Sequence, residues 1–301
     1  MEKTIDNLQA VNRILVTGSN KGIGFACIER LINEFSPEQS TSPQRLEIIM
    51  TSRELDAGQA SLEKLHKLLE SKPEPLKPSV KLVQLDLNDE QSRNTFVQNC
   101  PELSVLINNA GIMFPGRHMN DTIILKTLNT NYYNTRKLTE SLVLAGKIVT
   151  GGRIIFVSSK LGDPCRLSSK HAEAAKLLLK YTSKSGGEFQ LQDLEILCAM
   201  YETEVKDPKL KSQWPNSVYA VSKLFITLFA NTFARNTGIT QQGITVFACC
   251  PGWCQTDLTK GSNAPLSAYE GSATPVFLAT SRSSQLASGA FYFDKQPFSF
   301  T

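Results

Sequence analysis

The stretch that decides the fold follows the first apolar run and is Thr17-Gly18-Ser19-Asn20-Lys21-Gly22-Ile23-Gly24. The run before it, Ile14-Leu15-Val16, is typical of a strand buried on both faces, and an apolar helical pattern begins at Phe25. Glycines allow a chain to leave a strand sharply and to bring its backbone close to an anion, and the next helix N-terminus offers free N–H groups. The stretch therefore predicts a strand, a pyrophosphate-binding turn and a helix. A tight turn without a ligand is the alternative.

Outward from this turn, short β-branched or apolar runs alternate with longer stretches of helical period. The seven candidate strands are Arg13–Thr17, Leu46–Thr51, Lys81–Leu85, Leu103–Asn108, Arg153–Val157, Ile244–Cys249 and Ala290–Phe293. Strands that alternate with helices predict a doubly wound parallel sheet with right-handed crossovers. We therefore expect one α/β domain of the Rossmann type over residues 1–301, with about seven strands.

One segment is too long for a simple connection between a strand and a helix. Residues 162–216 carry helical patterns of their own, near His171–Tyr181 and Leu191–Val205. We expect a helical insertion here, directly before the long helix that contains Tyr219.

Composition excludes several classes of protein. Hydrophobic residues make up 41% of the 301 residues and charged residues 20%, which argues against a mainly disordered chain. No apolar run is long enough for a membrane span, and the N-terminus lacks the apolar core of a secretory signal. A net charge of +4 is small for this length and argues against nucleic acid or a membrane surface as the main partner. Seven scattered cysteines without a C-x-x-C pair indicate free thiols in a reducing cytoplasm and no bound metal.

The end of the second strand indicates the coenzyme. An acidic residue at this position binds the ribose 2′-hydroxyl in NAD-specific folds. Here the strand ends with Met50-Thr51-Ser52-Arg53, and the arginine can face a 2′-phosphate, with help from Lys21. NADP(H) is therefore expected rather than NAD(H), and the alternative is that Arg53 is simply a solvated surface charge.

Two Tyr-x-x-x-Lys patterns are present, Tyr133/Lys137 and Tyr219/Lys223. Either pair would share one face of a helix. Only the second pair follows a strand that ends in Ser158-Ser159, so we assign acid–base chemistry to Tyr219 and Lys223. A nearby ammonium favours tyrosinate and would bring the pKa of the phenol towards neutral pH, while a serine hydroxyl could hold a substrate oxygen.

Five motifs occur in the order found in the short-chain dehydrogenase/reductase family, which the chain resembles over nearly its whole length. They are Thr17-Gly18-x3-Gly22-x-Gly24, Asn108-Asn109-Ala110-Gly111, Ser158-Ser159, Tyr219-x3-Lys223 and Cys250-Pro251-Gly252. The resemblance implies that Ser159 orients a carbonyl group and that Tyr219 donates the proton. It further implies that Lys223 lowers the pKa of Tyr219 and holds the nicotinamide ribose, and that Asn131 positions a water in the proton relay.

The resemblance also implies a set of cofactor-binding residues, most of which lie in four of the five motifs. They are Gly18, Asn20, Lys21, Gly22, Ile23, Gly24, Arg53, Asp86, Leu87, Asn109, Ala110, Gly111, Tyr219, Lys223, Pro251, Gly252, Cys254 and Thr256. Asp86 would contact the adenine, and Cys254 to Thr256 would lie by the carboxamide. Trp253 would wall the substrate pocket beside Ser159, with an aromatic packed in a loop as the alternative.

A subgroup of this family, the monomeric NADPH-dependent carbonyl reductases, resembles the chain more specifically. The gap of 60 positions from Ser159 to Tyr219 and the stretch Cys249-Cys250-Pro251-Gly252-Trp253 carry this resemblance. It implies a cytoplasmic monomer that reduces aldehydes, ketones or quinones with NADPH. The alternatives are a dedicated biosynthetic ketone reductase of the menthone- or salutaridine-reductase type and a non-catalytic dinucleotide-binding sensor.

Overall fold

The computed structural model describes residues 11–34, 45–72, 77–114, 120–182, 188–260, 262–281 and 286–300. Within these ranges a mostly parallel sheet is built from eight strands. They are β1 (Val11–Val16), β2 (Arg45–Ser52), β3 (Ser79–Gln84), β4 (Leu103–Asn108), β5 (Ile148–Val157), β6 (Thr245–Cys250), β9 (Phe291–Phe293) and β10 (Gln296–Pro297). Two short strands, β7 (Cys254–Gln255) and β8 (Leu266–Ser267), pair separately. All seven predicted strands are present.

Helices connect the strands and cover both faces of the sheet. They are α1 (Gly22–Glu34), α2 (Leu55–Glu70), α3 (Glu90–Asn99), α4 (Asp121–Leu128), α5 (Asn134–Leu144), α6 (Pro164–Ser168), α7 (Ala172–Thr182), α8 (Leu191–Glu204), α9 (Pro208–Lys211), α10 (Val218–Phe233), α11 (Thr237–Gln241), α12 (Ala268–Gly271) and α13 (Ala273–Thr280). No helix in the described ranges is long and apolar enough to cross a membrane.

The core lies on both faces of the sheet because successive strand residues point to opposite sides. Leu15 of β1 packs on the side of α10, where Leu224 and Phe225 are buried. Ile14 packs on the other side against α1, where Ile28 is buried. This two-sided burial confirms the doubly wound α/β class expected from the apolar strands.

The strand order β10-β9-β6-β5-β4-β1-β2-β3 places β1 between β2 and β4. The chain order therefore reverses at the boundary between β1 and β4. In open α/β sheets, ligands bind at the carboxyl ends of the strands at such a switch point. The loops after β1, β4, β5 and β6 lie at this edge.

The expected count of about seven strands was wrong, because β10 adds an eighth. It pairs antiparallel with β9 through a two-residue turn at Asp294 and Lys295, whose φ angles are 49° and 62°. Positive φ at both central residues is the geometry of a tight hairpin turn, usually supplied by Gly or Asn. An Asp-Lys pair followed by two strand residues carries no such signal in the sequence.

The predicted helical insertion is confirmed as α6 to α9, between β5 and α10. Leu194 and Leu197 of α8 are buried in the same core as Phe225 of α10. Trp214, just before α10, is 1% exposed and packs edge-on against Tyr201. The insertion thus supports the beginning of the helix that carries Tyr219.

Candidate active site

The glycine turn is held open by two residues with left-handed backbone. Gly18 and Gly22 have φ angles of +59° and +58°, where a side chain would be strained. A Cβ on Gly18 would lie 2.9 Å from the Cα of Ala110. Helix α1 begins at Gly22, so its first N–H groups point out of the helix at the carboxyl edge of β1. This is the cradle that a pyrophosphate requires.

The turn is locked to the end of β4 by a reciprocal set of hydrogen bonds. The Thr17 hydroxyl accepts from the backbone nitrogens of Asn109 (3.0 Å) and Ala110 (3.1 Å). In return, Asn109 Nδ2 donates to the carbonyl oxygens of Thr17 (2.9 Å) and Gly18 (3.1 Å). A Cβ on Gly24 would collide with this same amide. The first and second motifs therefore form one structural unit.

The remaining members of the turn, Asn20, Lys21 and Ile23, lie beside α2, Asp257 and α12, respectively. The carbonyl oxygen of Asn20 accepts from the hydroxyl of Ser61 on α2 at 2.6 Å. Ile23 Cδ1 would lie 2.8 Å from a Cβ on Gly271 of α12. Lys21 Nζ lies 2.6 Å from Asp257 Oδ2, with both side chains largely exposed.

Arg53 and Asp86 line one cleft of about 630 Å³ beside the ends of β2 and β3. Arg53 Nε donates to Glu54 Oε1 at 3.0 Å. Asp86 Oδ1 accepts from the backbone nitrogen of Asn88 at 2.9 Å, and Leu87 is buried beneath. The two predicted adenosine contacts are thus brought together, and Arg53 carries a carboxylate partner, Glu54, that was not expected from the sequence.

Asn131 lies in a π-helical turn, Asn129–Tyr133, which interrupts the helical run between α4 and α5. Its side chain bonds both backbone groups of Ile112: Nδ2 donates to the carbonyl oxygen at 2.9 Å and Oδ1 accepts from the nitrogen at 2.8 Å. Nδ2 also donates to Ser222 Oγ at 3.0 Å. Such single π turns are frequent at functional sites.

Lys223 reaches the same point from α10. A Cβ on Gly111 would lie 3.3 Å from Asn131 Oδ1 and 3.6 Å from Lys223 Nζ. The ammonium donates to the carbonyl oxygen of Val157 at 2.7 Å. Burial lowers the pKa of Lys223 to about 8. Three predicted site residues from distant parts of the chain therefore converge at the ends of β4 and β5.

The two serines of the Ser158-Ser159 pair differ in burial and in hydrogen bonding. Ser158 is buried, and its hydroxyl donates to the carbonyl oxygen of Lys223 at 2.9 Å and lies 2.7 Å from Thr227 Oγ1. It anchors the end of β5 to α10. Ser159 is only partly buried, and its Oγ accepts from the backbone nitrogen of Leu161 at 3.2 Å. The second serine is therefore the one whose hydroxyl hydrogen is free for a substrate oxygen.

Tyr219 stands in the first turn of α10, which Ser217 caps by accepting from the backbone nitrogen of Ala220. Lys223 Nζ lies 5.5 Å from the centre of its ring. Burial, with a smaller contribution from Cys250, raises the pKa of Tyr219 well above its ordinary value. The net shift of this pKa is upward, opposite in direction to the lowering expected from a neighbouring ammonium. The phenol is therefore protonated at neutral pH.

The loop after β6 contains Pro251, Gly252, Cys254 and Thr256. Gly252 has a φ of +89°, and the thiol of Cys254, itself buried, donates to the carbonyl oxygen of Pro251. Thr256 Cγ2 would lie 3.5 Å from a Cβ on Gly22, so this loop meets the glycine turn. Trp253 is 53% exposed beside it, an unusual exposure for so large an apolar ring.

The other Tyr-x-x-x-Lys pattern is placed elsewhere. Tyr133 donates its hydroxyl to Glu202 of the insertion at 2.6 Å, and Lys137 is exposed on α5. Burial raises the pKa of Tyr133 as well. The tertiary structure thus separates two motifs that are equivalent in spacing.

Three residues to which the sequence assigned no role hold the site together. Ser222 accepts from Asn131 and donates to the carbonyl oxygen of Tyr219 at 2.7 Å. Gly162 lets the chain after β5 pass against α10, since a Cβ would lie 2.5 Å from the nitrogen of Leu224. The Thr17 hydroxyl accepts the hydrogen bond from the backbone nitrogen of Asn109 that fixes the second motif. Its position between strand and glycine was the only available signal; Ser222 and Gly162 carry none.

In the part of the chain that the structure describes, no three His, Cys, Asp or Glu side chains are grouped so that they could hold a metal ion. All seven cysteines are free thiols. Cys249 and Cys250 at the end of β6 and Cys254 after it do not form a metal site with a histidine among the described residues.

The family model for short chain dehydrogenase matches residues 12–177, which is more than half of the chain. Carbonyl reductase (NADPH) 1 of Macaca fascicularis is 34% identical over 277 residues, covering 88% of this chain and 89% of that protein. The chain belongs to the short-chain dehydrogenase family.

Solved structures agree with the fold. Salutaridine reductase from Papaver somniferum superimposes with a TM-score of 0.71 at 20% identity, covering 95% of this chain and 100% of that one. The NADPH-bound carbonyl reductase from chicken fatty liver gives a TM-score of 0.62 at 20% identity, covering 94% and 95%. At these identities the similarity shows the fold alone.

Proposed function

We propose that this protein reduces aldehydes, ketones or quinones to alcohols with NADPH, using Tyr219 as the proton donor. The observation that carries the proposal is the convergence of Gly111, Asn131 and Lys223 at the carboxyl edge of the sheet, beside the glycine turn. The relative that is 34% identical over most of the chain is a carbonyl reductase (NADPH). The similarity to salutaridine reductase, at 20% identity, shows the fold alone, so the carbonyl-reductase interpretation is favoured over the alternatives.

The residues present fit a dinucleotide. Gly18 and Gly22 adopt positive φ angles that would strain a residue with a side chain, and they leave the backbone open to a ligand. The first turn of α1 offers N–H groups to a pyrophosphate. Arg53 stands at the end of β2, where a 2′-phosphate would meet a guanidinium. When bound, NADPH supplies the hydride that reduces the carbonyl carbon.

The protein's own groups then manage the oxygen and the proton. The Ser159 hydroxyl donates a hydrogen bond to the substrate oxygen and holds it for protonation. The protonated phenol of Tyr219 transfers its hydrogen to that oxygen as negative charge develops there, which completes the alcohol.

Lys223 and Asn131 support this transfer. The Lys223 ammonium stabilises the charge left on the Tyr219 oxygen, and its bond to Val157 fixes the amine at the strand end. Asn131 holds the backbone of Ile112, the neighbour of Gly111, which itself lies beside the amine. We assign to it the positioning of a water that returns a proton to the site.

The test is a panel of aldehydes, ketones and quinones, followed by absorbance of the reduced nicotinamide, with Tyr219→Phe as the diagnostic variant. We expect activity to fall by at least about 100-fold while NADPH still binds. Tyr133→Phe is the matched control, since it removes the hydroxyl of the other Tyr-x-x-x-Lys motif and should leave the rate within about twofold. Full activity in Tyr219→Phe would refute the mechanism.

The coenzyme assignment has its own test. We expect Arg53→Ala to raise the dissociation constant of NADPH by about tenfold or more, and to leave that of NADH nearly unchanged, because only NADPH carries the 2′-phosphate. A wild-type preference for NADH, or equal effects on both coenzymes, would refute the assignment.

The assembly and compartment are also part of the proposal. The insertion supports a single-domain monomer, because α8 packs on α10 and covers a helix surface that a partner subunit would otherwise meet. The free cysteines support the cytoplasm. Sedimentation equilibrium tests the monomeric state. We expect a concentration-independent mass of 33.2 kDa, and the mass of a dimer would contradict the proposal.

A further inference from the structure

We propose that Glu54 is a specificity-determining residue that limits the preference of this enzyme for NADPH over NADH. The inference rests on the proposed function, since it concerns the coenzyme cleft of that activity. Glu54 directly follows Arg53, and its Oε1 accepts from the guanidinium Nε at 3.0 Å. Both side chains are about two-thirds exposed and both line the cleft beside the ends of β2 and β3. The cation expected to meet a 2′-phosphate is thus already paired with a carboxylate.

The charge of the cleft strengthens this argument. Its described lining contains one cation, Arg53, and three carboxylates, Glu54, Asp86 and Asp89. A 2′-phosphate brings nearly two further negative charges at neutral pH. The second predicted cation, Lys21, is held by Asp257 at 2.6 Å. Each cation that could favour NADPH therefore has a competing anion within hydrogen-bond distance.

Among the three carboxylates of the cleft, Glu54 is the one without a structural task in the described residues. Asp86 accepts from the backbone nitrogen of Asn88, and Asp89 caps α3 by accepting from Gln91. Glu54 occupies the cap position of α2, yet its side chain makes no capping hydrogen bond. Asp, Asn, Ser or Thr would stabilise this helix end. The glutamate is turned to Arg53 instead.

The two coenzymes should respond to Glu54 with opposite signs. A carboxylate repels the 2′-phosphate of NADPH and also occupies the guanidinium that would bind it. The same carboxylate can accept a hydrogen bond from the ribose 2′-hydroxyl of NADH, as acidic residues near this position do in NAD-binding folds. Glu54 therefore weakens the binding of NADPH and not that of NADH, so the preference for NADPH over NADH is smaller.

The experiment measures dissociation constants of NADPH and NADH directly, by the fluorescence of the reduced nicotinamide, for the wild type and Glu54→Gln. We expect Glu54→Gln to bind NADPH about three- to tenfold more tightly at low ionic strength, and NADH equally or more weakly. The gain should shrink in high salt, because the pair is exposed and screened. Thermal unfolding verifies that the variant is folded.

The matched control is Glu173→Gln, which removes the carboxylate of an equally exposed pair, with Lys176 at 2.8 Å, in the insertion. It should change neither constant. An equal change for both coenzymes in Glu54→Gln, or weaker binding of NADPH, would overturn the inference and leave the proposed function intact. A wild type that binds no NADPH would overturn the proposed function and this inference with it.

Discussion

The side-chain amide of Asn131 donates a 3.0 Å hydrogen bond to the hydroxyl of Ser222, across 91 positions of the chain. Ser222 passes the connection on, since its hydroxyl donates to the backbone carbonyl oxygen of Tyr219. The π turn that contains Asn131 is thereby tied to the first turn of α10. The proposed proton donor and the proposed relay residue are held in one network rather than on two independent helices.

This network predicts the effect of Ser222→Ala. The variant should lower kcat by about three- to tenfold, the loss expected for one or two hydrogen bonds that orient catalytic groups, and should change the KM for the carbonyl less. Steady-state kinetics with NADPH checks it. Ser71→Ala is the control: it removes a similar hydroxyl-to-carbonyl bond at an exposed helix end and should leave kcat unchanged. An unaltered kcat in Ser222→Ala would contradict the positioning role.

Gly162 is expected to tolerate no side chain. A Cβ there would meet backbone atoms of α10, including the Leu224 nitrogen at 2.5 Å, so that helix must move. Gly162→Ala should lower the free energy of unfolding by about 1–3 kcal/mol and reduce activity, because Lys223 moves with the helix. Urea denaturation measures the first effect. Gly238→Ala in α11, where the nearest atom is 3.3 Å away, should be neutral or stabilising; equal losses in both variants would argue against close packing at Gly162.

The pH dependence of reduction should report Lys223. Burial lowers the pKa of this amine to about 8, so its charge is present below pH 8 and is lost as the pH rises through that value. The ammonium charge stabilises the Tyr219 oxygen as its proton leaves. We therefore expect kcat/KM to fall on the basic side of about pH 8. Tyr219, whose pKa is raised, keeps its proton over this range.

The control for this profile is Lys223→Arg, whose guanidinium stays charged. The basic limb near pH 8 should disappear in this variant, even where its overall rate is lower. A limb near pH 10 in the wild type, or one near pH 8 that persists in Lys223→Arg, would show that another group is titrating.

Glu204 is predicted to be essential to the stability of the insertion. Its Oε2 lies 2.6 Å from His171 Nε2 and accepts from Trp214 Nε1 at 2.8 Å, both rings being buried. Glu204→Ala leaves the buried indole N–H without this acceptor and should cost about 1–3 kcal/mol of unfolding free energy. Chemical denaturation checks this value. Glu173→Ala, in an exposed pair, should leave the free energy of unfolding nearly unchanged, and a loss comparable to that of Glu204→Ala would contradict the argument.

Much of the fold could be predicted because its signals are local. The apolar run Ile154-Ile155-Phe156-Val157 indicates a strand buried on both faces, and the structure confirms it in β5. The length between Ser159 and Tyr219 is a second local signal. It indicates an insertion because no simple loop is that long. The hairpin at Asp294-Lys295 escaped prediction because its turn lacks glycine and its second strand has only two residues.

The site could be predicted only in its parts. Order and spacing single out Tyr219 and Lys223, yet Tyr133 and Lys137 have the same spacing and are directed elsewhere. The pKa of Tyr219 could not be inferred from its neighbour in sequence, since burial dominates it. The partners of Arg53 and Lys21 were equally out of reach, because ion pairing depends on which side chains the folded loops bring together.

The amino-acid sequence by itself determined seven of the strands, the glycine turn and the position of the insertion. These follow from side-chain periodicity and turn chemistry, which act within a few residues. Only the tertiary structure decided that β1 lies between β2 and β4, that Asn131 meets Ser222, and that Glu54 pairs with Arg53. The first two join positions far apart in the chain, and the third depends on how a side chain turns at a helix end, so all three are settled when the layers pack.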